Sequence, residues 1–295
     1  MSIRIQSGAV LSAAIFGFVA SSALLVSTTA WGQGIPGPSV NIIGPTPEVY
    51  NLVPDKGLKQ QNEVHCAVRP DDPLIAFCGY NDYRTTELTD DAWVGASMTR
   101  DGGLTWMSRV VPGWPLYQGG AGPIGHDFAA DPNTAAVPGL VLYNFIAADR
   151  GKKGTGGLFV QRWFESDQEN GFPYVPSQDT ILITKGTSCP QCSGRFIDKP
   201  HMIATLNPES GRPPVDVWDT LEDGSVRTAK VPAGELHVVY SVFTGSKQDG
   251  SKILHSRSTD WGATWSVDSK ITESVEINQS AHLVARGDEL LVVWR

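Results

Sequence analysis

The chain has 295 residues, is 41% hydrophobic and 18% charged, and carries a formal net charge of -8. A chain of this length and apolar content buries a substantial core, which excludes a disordered protein. The acidic balance, with no block of basic residues, excludes nucleic-acid binding and attraction to an anionic membrane surface; neutral or locally recognised ligands fit better.

At the N-terminus, Arg4 supplies a positive segment, Gly8 to Val26 an uncharged apolar one, and Thr28-Thr29-Ala30 a small-residue cleavage point. That order is the pattern of a secretory signal peptide, so residues 1–30 are set apart and the protein is expected to be secreted, periplasmic or at the cell surface. The alternative is an uncleaved anchor, since an apolar run of about nineteen residues just spans a bilayer. Only then is a membrane a partner. Residues 31–62, rich in Gly, Pro, Asn and Gln, read as a linker or closing segment with extended candidates at 39–43 and 48–53.

Beyond residue 62 no stretch shows apolar residues at helical period for three turns. Short β-branched and aromatic runs recur between turn signals instead, at 74–79, 93–98, 140–147, 158–164, 236–243, 253–257 and 289–294. The expected class is all-β. A weak repeat opens each unit with a short strand leading into an Asn/Asp-Pro turn, at 65–73, 126–132 and 201–208.

The four cysteines suit an oxidising compartment. Cys66 with Cys78 is the more structural-looking pair. Cys189-Pro190-Gln191-Cys192 has redox-motif spacing but lies among Gly, Ser, Thr and Pro rather than at a helix start. It reads as a loop-closing disulfide, with zinc binding and redox function as the alternatives. Ser193, where a c-type haem site needs His, removes that option. Neither a metal nor a cofactor is implied.

The strongest signal is a duplicated octapeptide. Residues 99–106 and 258–265 both fit [ST]-x-D-x-G-x-T-W. In each, Asp101 or Asp260 is expected to accept backbone N–H groups, Gly103 or Gly262 to take a positive φ, and Trp106 or Trp265 to pack inward and anchor a hairpin. Ser166 to Gly171 with Tyr174 looks like a degraded third copy. This is the residue pattern of Asp-box repeats, and the chain resembles the sialidase-like (BNR repeat) propellers over roughly residues 63–295.

The resemblance implies a sialidase-like β-propeller with three blades plus part of a fourth, residues 63–295 forming a truncated six-bladed ring. The alternative is that strands near 39–43 and 48–53 complete a small ring. It implies little about activity, because Asp-box propellers include sialidases, other glycosidases, photosynthesis assembly factors, sorting receptors and proteins without catalysis. With strands ordered outward from a central channel, the Asp-boxes fall on the face away from the ligand mouth and are expected to be structural. The opposite face gathers the second-to-third strand loops and the connections between blades.

Polar residues cluster on that expected mouth. Asp82 and Asp127 are the candidate catalytic carboxylates; Tyr83, Arg84, His126, Arg150, Asp198, Lys199 and His201 are the candidate substrate-binding residues. Carboxylates move protons to a leaving oxygen, Arg holds an anionic substituent, and aromatics cover a sugar face. The expected partner is a glycan or glycoconjugate, with an exo-sialidase-like hydrolase or close relative as the leading activity. A non-catalytic cell-surface propeller binding a protein or polysaccharide is the alternative. The match to sialidases is incomplete: their opening Arg-Ile-Pro segment is absent, and Val68-Arg69-Pro70 falls in a turn on the wrong face.

Overall fold

In the computed structural model, which describes residues 2–7, 40–43, 60–115, 125–151, 154–166, 172–187, 195–207, 211–244, 250–273, 277–287 and 289–295, nearly every ordered element is a strand. Strand β1 (Ser2–Ser7) stands apart in sequence from the rest. The first unit is an antiparallel meander of β2 (Gln61–Arg69), β3 (Asp72–Asp82), β4 (Trp93–Thr99) and β5 (Met107–Val110). The second consists of β6 (Phe128–Val137), β7 (Leu140–Ala148) and β8 (Thr155–Glu165), flanked on the far side of β8 by β9 (Tyr174–Pro176) and β10 (Ile181–Thr187).

The third unit begins with β11 (Phe196–Leu206), inserts a hairpin of β12 (Val215–Thr220) and β13 (Val226–Val231), and continues through β14 (Gly234–Thr244), β15 (Gly250–Ser258) and β16 (Ser269–Lys270). A single parallel pairing, Thr187 with Phe196, joins the second and third units into one strand path. Last come β17 (His282–Arg286) and β18 (Glu289–Trp294), with β1 lying parallel along β18, Ser2 opposite Glu289. The first strands of successive units pack on one another: β2 on β6, β6 on β11, and β11 on β17.

Burial follows strand alternation. All nine residues of β7 are buried, and its two faces feed different clusters. Leu140, Leu142 and Ile146 pack toward the third unit with Leu236, Val238 and Trp261. Val141, Tyr143, Phe145 and Ala147 pack toward the first with Phe77, Trp93 and Met98. A strand covered on both faces loses polar alternation, which is why β7 reads as a continuous apolar run. Each such Val, Leu or Phe contributes about 1.5–3 kcal/mol on burial. Close contact constrains the neighbours: Tyr143 passes over Gly79, where an added Cβ would stand 2.8 Å from Tyr143 Cε2, and its hydroxyl donates to Gly95 O at 2.8 Å.

Several expectations meet a different structure. Asp131-Pro132 is not a turn: β6 runs through it with a bulge, and the chain reverses after Val137 instead. Proline is tolerated there because the bulge frees its position from the ladder. Residues 40–43 form a bend closed by Ile43 N–H donating to Asn41 Oδ1 at 3.0 Å rather than a strand, and 48–53 lie outside the described residues. The hairpin β12–β13 was not anticipated; Val215, Trp218 and Val226 are exposed, while Val217, Ala229 and Val231 join the core. Cys66 faces Cys78 across the β2–β3 pair and the two are disulfide-bonded, whereas Cys189 and Cys192 lie outside the described residues. No sheet closes on itself among the described residues, and no helix there is long and apolar enough to cross a membrane.

Candidate functional site

The two octapeptides fold alike. Asp101 Oδ1 accepts from Thr99 Oγ1 at 2.7 Å and Thr105 N–H at 2.9 Å, while Oδ2 accepts from Thr105 Oγ1 at 2.6 Å. Asp260 repeats the set with Ser258 Oγ at 2.8 Å, Thr264 N–H at 2.8 Å and Thr264 Oγ1 at 2.5 Å. Thr105, within the turn, holds the Asp101 carboxyl down at about 2. Gly103 and Gly262 take φ of 93° and 89°, and Trp106 and Trp265 donate Nε1–H to their carbonyls at 3.1 and 3.2 Å. Both Asp carboxylates are satisfied inside their turns, while Arg100 reaches out to Ser166 O and Pro173 O. The third, degraded copy lies largely outside the described residues.

A different repeat builds the site. In β2, β6 and β11 the register slips at the same place, between Asn62 and His65, Ala130 and Asn133, and Asp198 and His201. Each slip begins with a non-glycine residue at positive φ, namely Glu63 at 54°, Asp131 at 53° and Lys199 at 48°; Ser280 at 53° occupies the equivalent place before β17. Such conformations cost of order 1–3 kcal/mol each and persist where surrounding contacts over-determine them. Because the first strands pack side by side, the three slips and the positive-φ position at Ser280 converge. They line a cavity of about 260 Å³ formed by Glu63-Val64-His65, Asp131-Pro132-Asn133, Lys199-Pro200-His201 and Ser280-Ala281-His282.

The charged members are interlocked. Lys199 Nζ donates to Glu63 Oε1 at 2.6 Å and Asp131 Oδ1 at 3.0 Å, and its backbone N–H to Asp131 Oδ2 at 2.9 Å. Buried Asn81 ties the same pair from β3: its Oδ1 accepts Asp131 N–H at 2.9 Å and its Nδ2 donates to Glu63 Oε2 at 3.2 Å. A hydrogen bond with Asp131, reinforced by burial, raises the Glu63 carboxyl above its usual range despite Lys199. For Lys199, burial pulls downward, and attraction to Asp131 with the Glu63 hydrogen bond outweighs it, so the ammonium is strengthened.

The third residue of each triplet staples one first strand to the next. His65 Nδ1 accepts Thr134 N–H at 3.2 Å, Asn133 Oδ1 accepts Met202 N–H at 2.9 Å, and His201 Nδ1 accepts Leu283 N–H at 3.2 Å. With Nδ1 accepting, the neutral imidazoles carry their proton on Nε2. Burial, then the charges of His282 and His65, hold His201 down at about 4; burial and His282 lower His65. The rings of His65 and His201 stand 5.5 Å apart, and those of His201 and His282 4.6 Å. Among the described residues no group of three or more His, Cys, Asp or Glu is arranged to hold a metal ion.

The remaining residues singled out from sequence lie outside this lining. Asp82 is fully buried and holds Arg84, with Arg84 Nε 2.9 Å from Oδ1 and Nη2 2.5 Å from Oδ2, while its Oδ1 also accepts Arg84 N–H. A carboxylate so enclosed shapes the β3–β4 loop, and it does not line the cavity. Tyr83, half-buried, anchors the same turn through its N–H to Gln60 O at 3.3 Å. Asp127 is exposed and accepts Arg150 N–H at 2.8 Å; the Arg150 guanidinium forks onto Asp91 and lies 4.0 Å from the Phe128 ring centroid. His126 Nδ1 pairs with Asp149 Oδ1 at 2.7 Å. Asp198 sits at the β11 slip, where its charge supports Lys199. Thus Lys199 and His201 line the cavity, and the other candidates do not.

Glu63, His65, Asp131, Asn133, Ser280 and His282 escaped the sequence reading. The signal was present: four triplets, each a polar residue, then Val, Pro or Ala, then His or Asn, one per unit.

No protein-family model matches this chain, and no curated protein does. Among solved structures it is similar to a Trypanosoma rangeli sialidase in complex with 2,3-difluorosialic acid, with TM-score 0.45 and 8% identity over 79% of this chain and 33% of that one. It is also similar to an exo-1,5-alpha-L-arabinanase from a bovine ruminal metagenomic library, with TM-score 0.31 and 12% identity over 78% and 86% of the two chains. A protein of unknown function from Dyadobacter fermentans matches with TM-score 0.29 and 11% identity, over 82% and 74%. The chain spans about a third of the length of the sialidase it matches.

Proposed function

We propose that this chain is an exported, carbohydrate-directed β-propeller of the Asp-box type, related to glycoside hydrolases, that receives a sugar ring where the first strands of its units converge. The observation that carries this reading is a fourfold repeat: four positive-φ backbone positions in equivalent places set polar side chains around one concavity of about 260 Å³. Strain concentrated at one point in a β scaffold marks a site rather than a stability device. The size lies just under the ~300–1,000 Å³ range of small-ligand pockets, which suits a single ring.

As a hydrolase, Glu63 is the proton donor, since Asp131 beside it and burial make its carboxyl hold a proton more readily than an ordinary one. Sialidase-type recognition further requires cations for the sugar carboxylate. Here Arg84 is held by Asp82, Arg150 by Asp91 and Lys199 by Glu63 and Asp131. One observation favours the non-catalytic alternative: Glu63 and Asp131 both grip the same Lys199 ammonium, at 2.6 and 3.0 Å, whereas the paired carboxylates of glycosidases flank a scissile bond.

Hydrolysis of a panel of aryl glycosides, with sugar binding followed in parallel, separates these readings. Turnover abolished in Glu63→Gln with binding retained establishes the hydrolase. Binding without turnover establishes the binder. Neither turnover nor binding overturns the carbohydrate reading.

A further inference from the structure

We infer that the ligand of this cavity is an uncharged sugar ring and that the cavity discriminates against sugars carrying a carboxylate. This rests on the carbohydrate reading above and names its substrate class.

The charges at the cavity are already matched, with the excess negative. Lys199 is the cation of the lining, and it is spent on two carboxylates at 2.6 and 3.0 Å. An incoming carboxylate must displace Glu63 or Asp131 from that ammonium, or sit beside them unpaired, and either route costs interaction energy in a partly desolvated cleft. Asp131 is especially hard to displace, since its side chain is only 7% exposed and also holds Lys199 N–H.

The neutral groups suit hydroxyls. His65 and His201 use Nδ1 to staple neighbouring strands, so each offers an uncharged Nε2–H donor. Carboxylate oxygens of Glu63 and Asp131 accept from sugar hydroxyls. Between the polar positions, Val64, Pro132, Pro200 and Ala281 line the cavity at one equivalent place per strand and provide an apolar surface for a ring's C–H face. Donors, acceptors and apolar wall are all present without a free positive charge.

The test uses the full chain and matched probes that differ only at C6: methyl glycosides of glucose, galactose and mannose against the corresponding uronates. Binding is measured by calorimetry, and occupancy of this cavity by the imidazole NMR signals of His65 and His201. The expected result is that a neutral glycoside shifts those signals and binds roughly tenfold or more tightly than its uronate. Glu63→Gln, which removes one negative charge at constant shape, narrows the gap severalfold. A uronate that binds as tightly as its neutral partner while shifting the same imidazoles overturns the inference but leaves the carbohydrate reading intact. If no glycoside shifts the imidazoles, both fall.

Discussion

Asn133 Oδ1 accepts the backbone N–H of Met202 at 2.9 Å, so a side chain of one first strand completes the hydrogen bonding of the next. His65 does the same for Thr134 and His201 for Leu283, always one residue beyond the equivalent triplet position. Neighbouring units are therefore joined by a relay of side-chain acceptors in addition to packed apolar faces, and the relay sets the spacing at which the cavity's charged residues meet.

Asn133→Ala should cost about 1–3 kcal/mol, because Met202 N–H is left unpaired in a buried setting. Asn133→His should cost clearly less, since His holds this position in three of the four triplets and its Nδ1 is an acceptor there. Urea unfolding of both variants measures the difference. Equal losses would mean that packing volume, not the acceptor, matters.

Lys199→Met leaves Glu63 facing Asp131 without the cation between them. A loss of about 1–2 kcal/mol is expected, a value reduced for the ammonium's exposure of 37%. The Glu63 carboxyl should titrate still higher. Adding Glu63→Gln should restore at least half of the lost stability, since only one of the two facing carboxylates remains. A double-mutant cycle in urea, with carboxyl NMR titration, measures the coupling.

Acid should weaken the fold before the carboxylates titrate. His201 and His237 are each held down at about 4, His201 by burial and the charges of His282 and His65, His237 by burial and those of His255 and Arg257. An unfolded imidazole takes its proton near 6.5. Between these values the unfolded chain binds protons that the folded chain refuses, so stability falls as pH drops from about 6.5 to about 4 and this contribution levels off below. For His201 the full window amounts to on the order of 3 kcal/mol. Melting temperatures across that window should decline in the native protein and decline less in His201→Gln.

What the sequence disclosed follows from how locally each feature is encoded. The hairpins at Asp101 and Asp260 satisfy their Asp carboxylates within eight residues, so a short pattern marks them. Strands β7, β8 and β14 were legible because burial on both faces makes long apolar runs. The cavity was not, because its residues meet through slips in register that no propensity predicts, and Asp131-Pro132 imitates a turn. Asp82 and Arg84 stand out in the sequence for a different reason. Their ion pair closes within two residues, and charge alone does not distinguish a side chain spent on its neighbour from one offered to a ligand.

The second hairpin provides a test of the internal wiring. Asp260→Ala removes the acceptor for Ser258 Oγ and for both donors of Thr264, and should cost about 1–2 kcal/mol. Trp265 reports on it directly, since its Nε1–H is fixed to Gly262 O at 3.2 Å. A red shift of its emission is expected on loosening. Asp101→Ala should act in the same direction with a smaller effect, as that hairpin is more exposed.

The proposed export bears on the edge of β18. The backbone of β1 covers that edge in parallel register, Arg4 opposite Leu291 and Gln6 opposite Val293, yet residues 1–30 carry the pattern of a cleaved signal peptide. If the segment is removed on export, the mature chain starts at Trp31 and β18 loses this partner, exposing main-chain groups that favour pairing with another chain. Sequencing the N-terminus of the protein recovered from a secreting host should therefore give Trp31. Amide exchange at the β18 positions paired with β1 should be faster in that mature form than in the full chain. A retained Met1 with protected β18 amides would instead make β1 a permanent strand of the fourth unit and would remove the basis for export by cleavage.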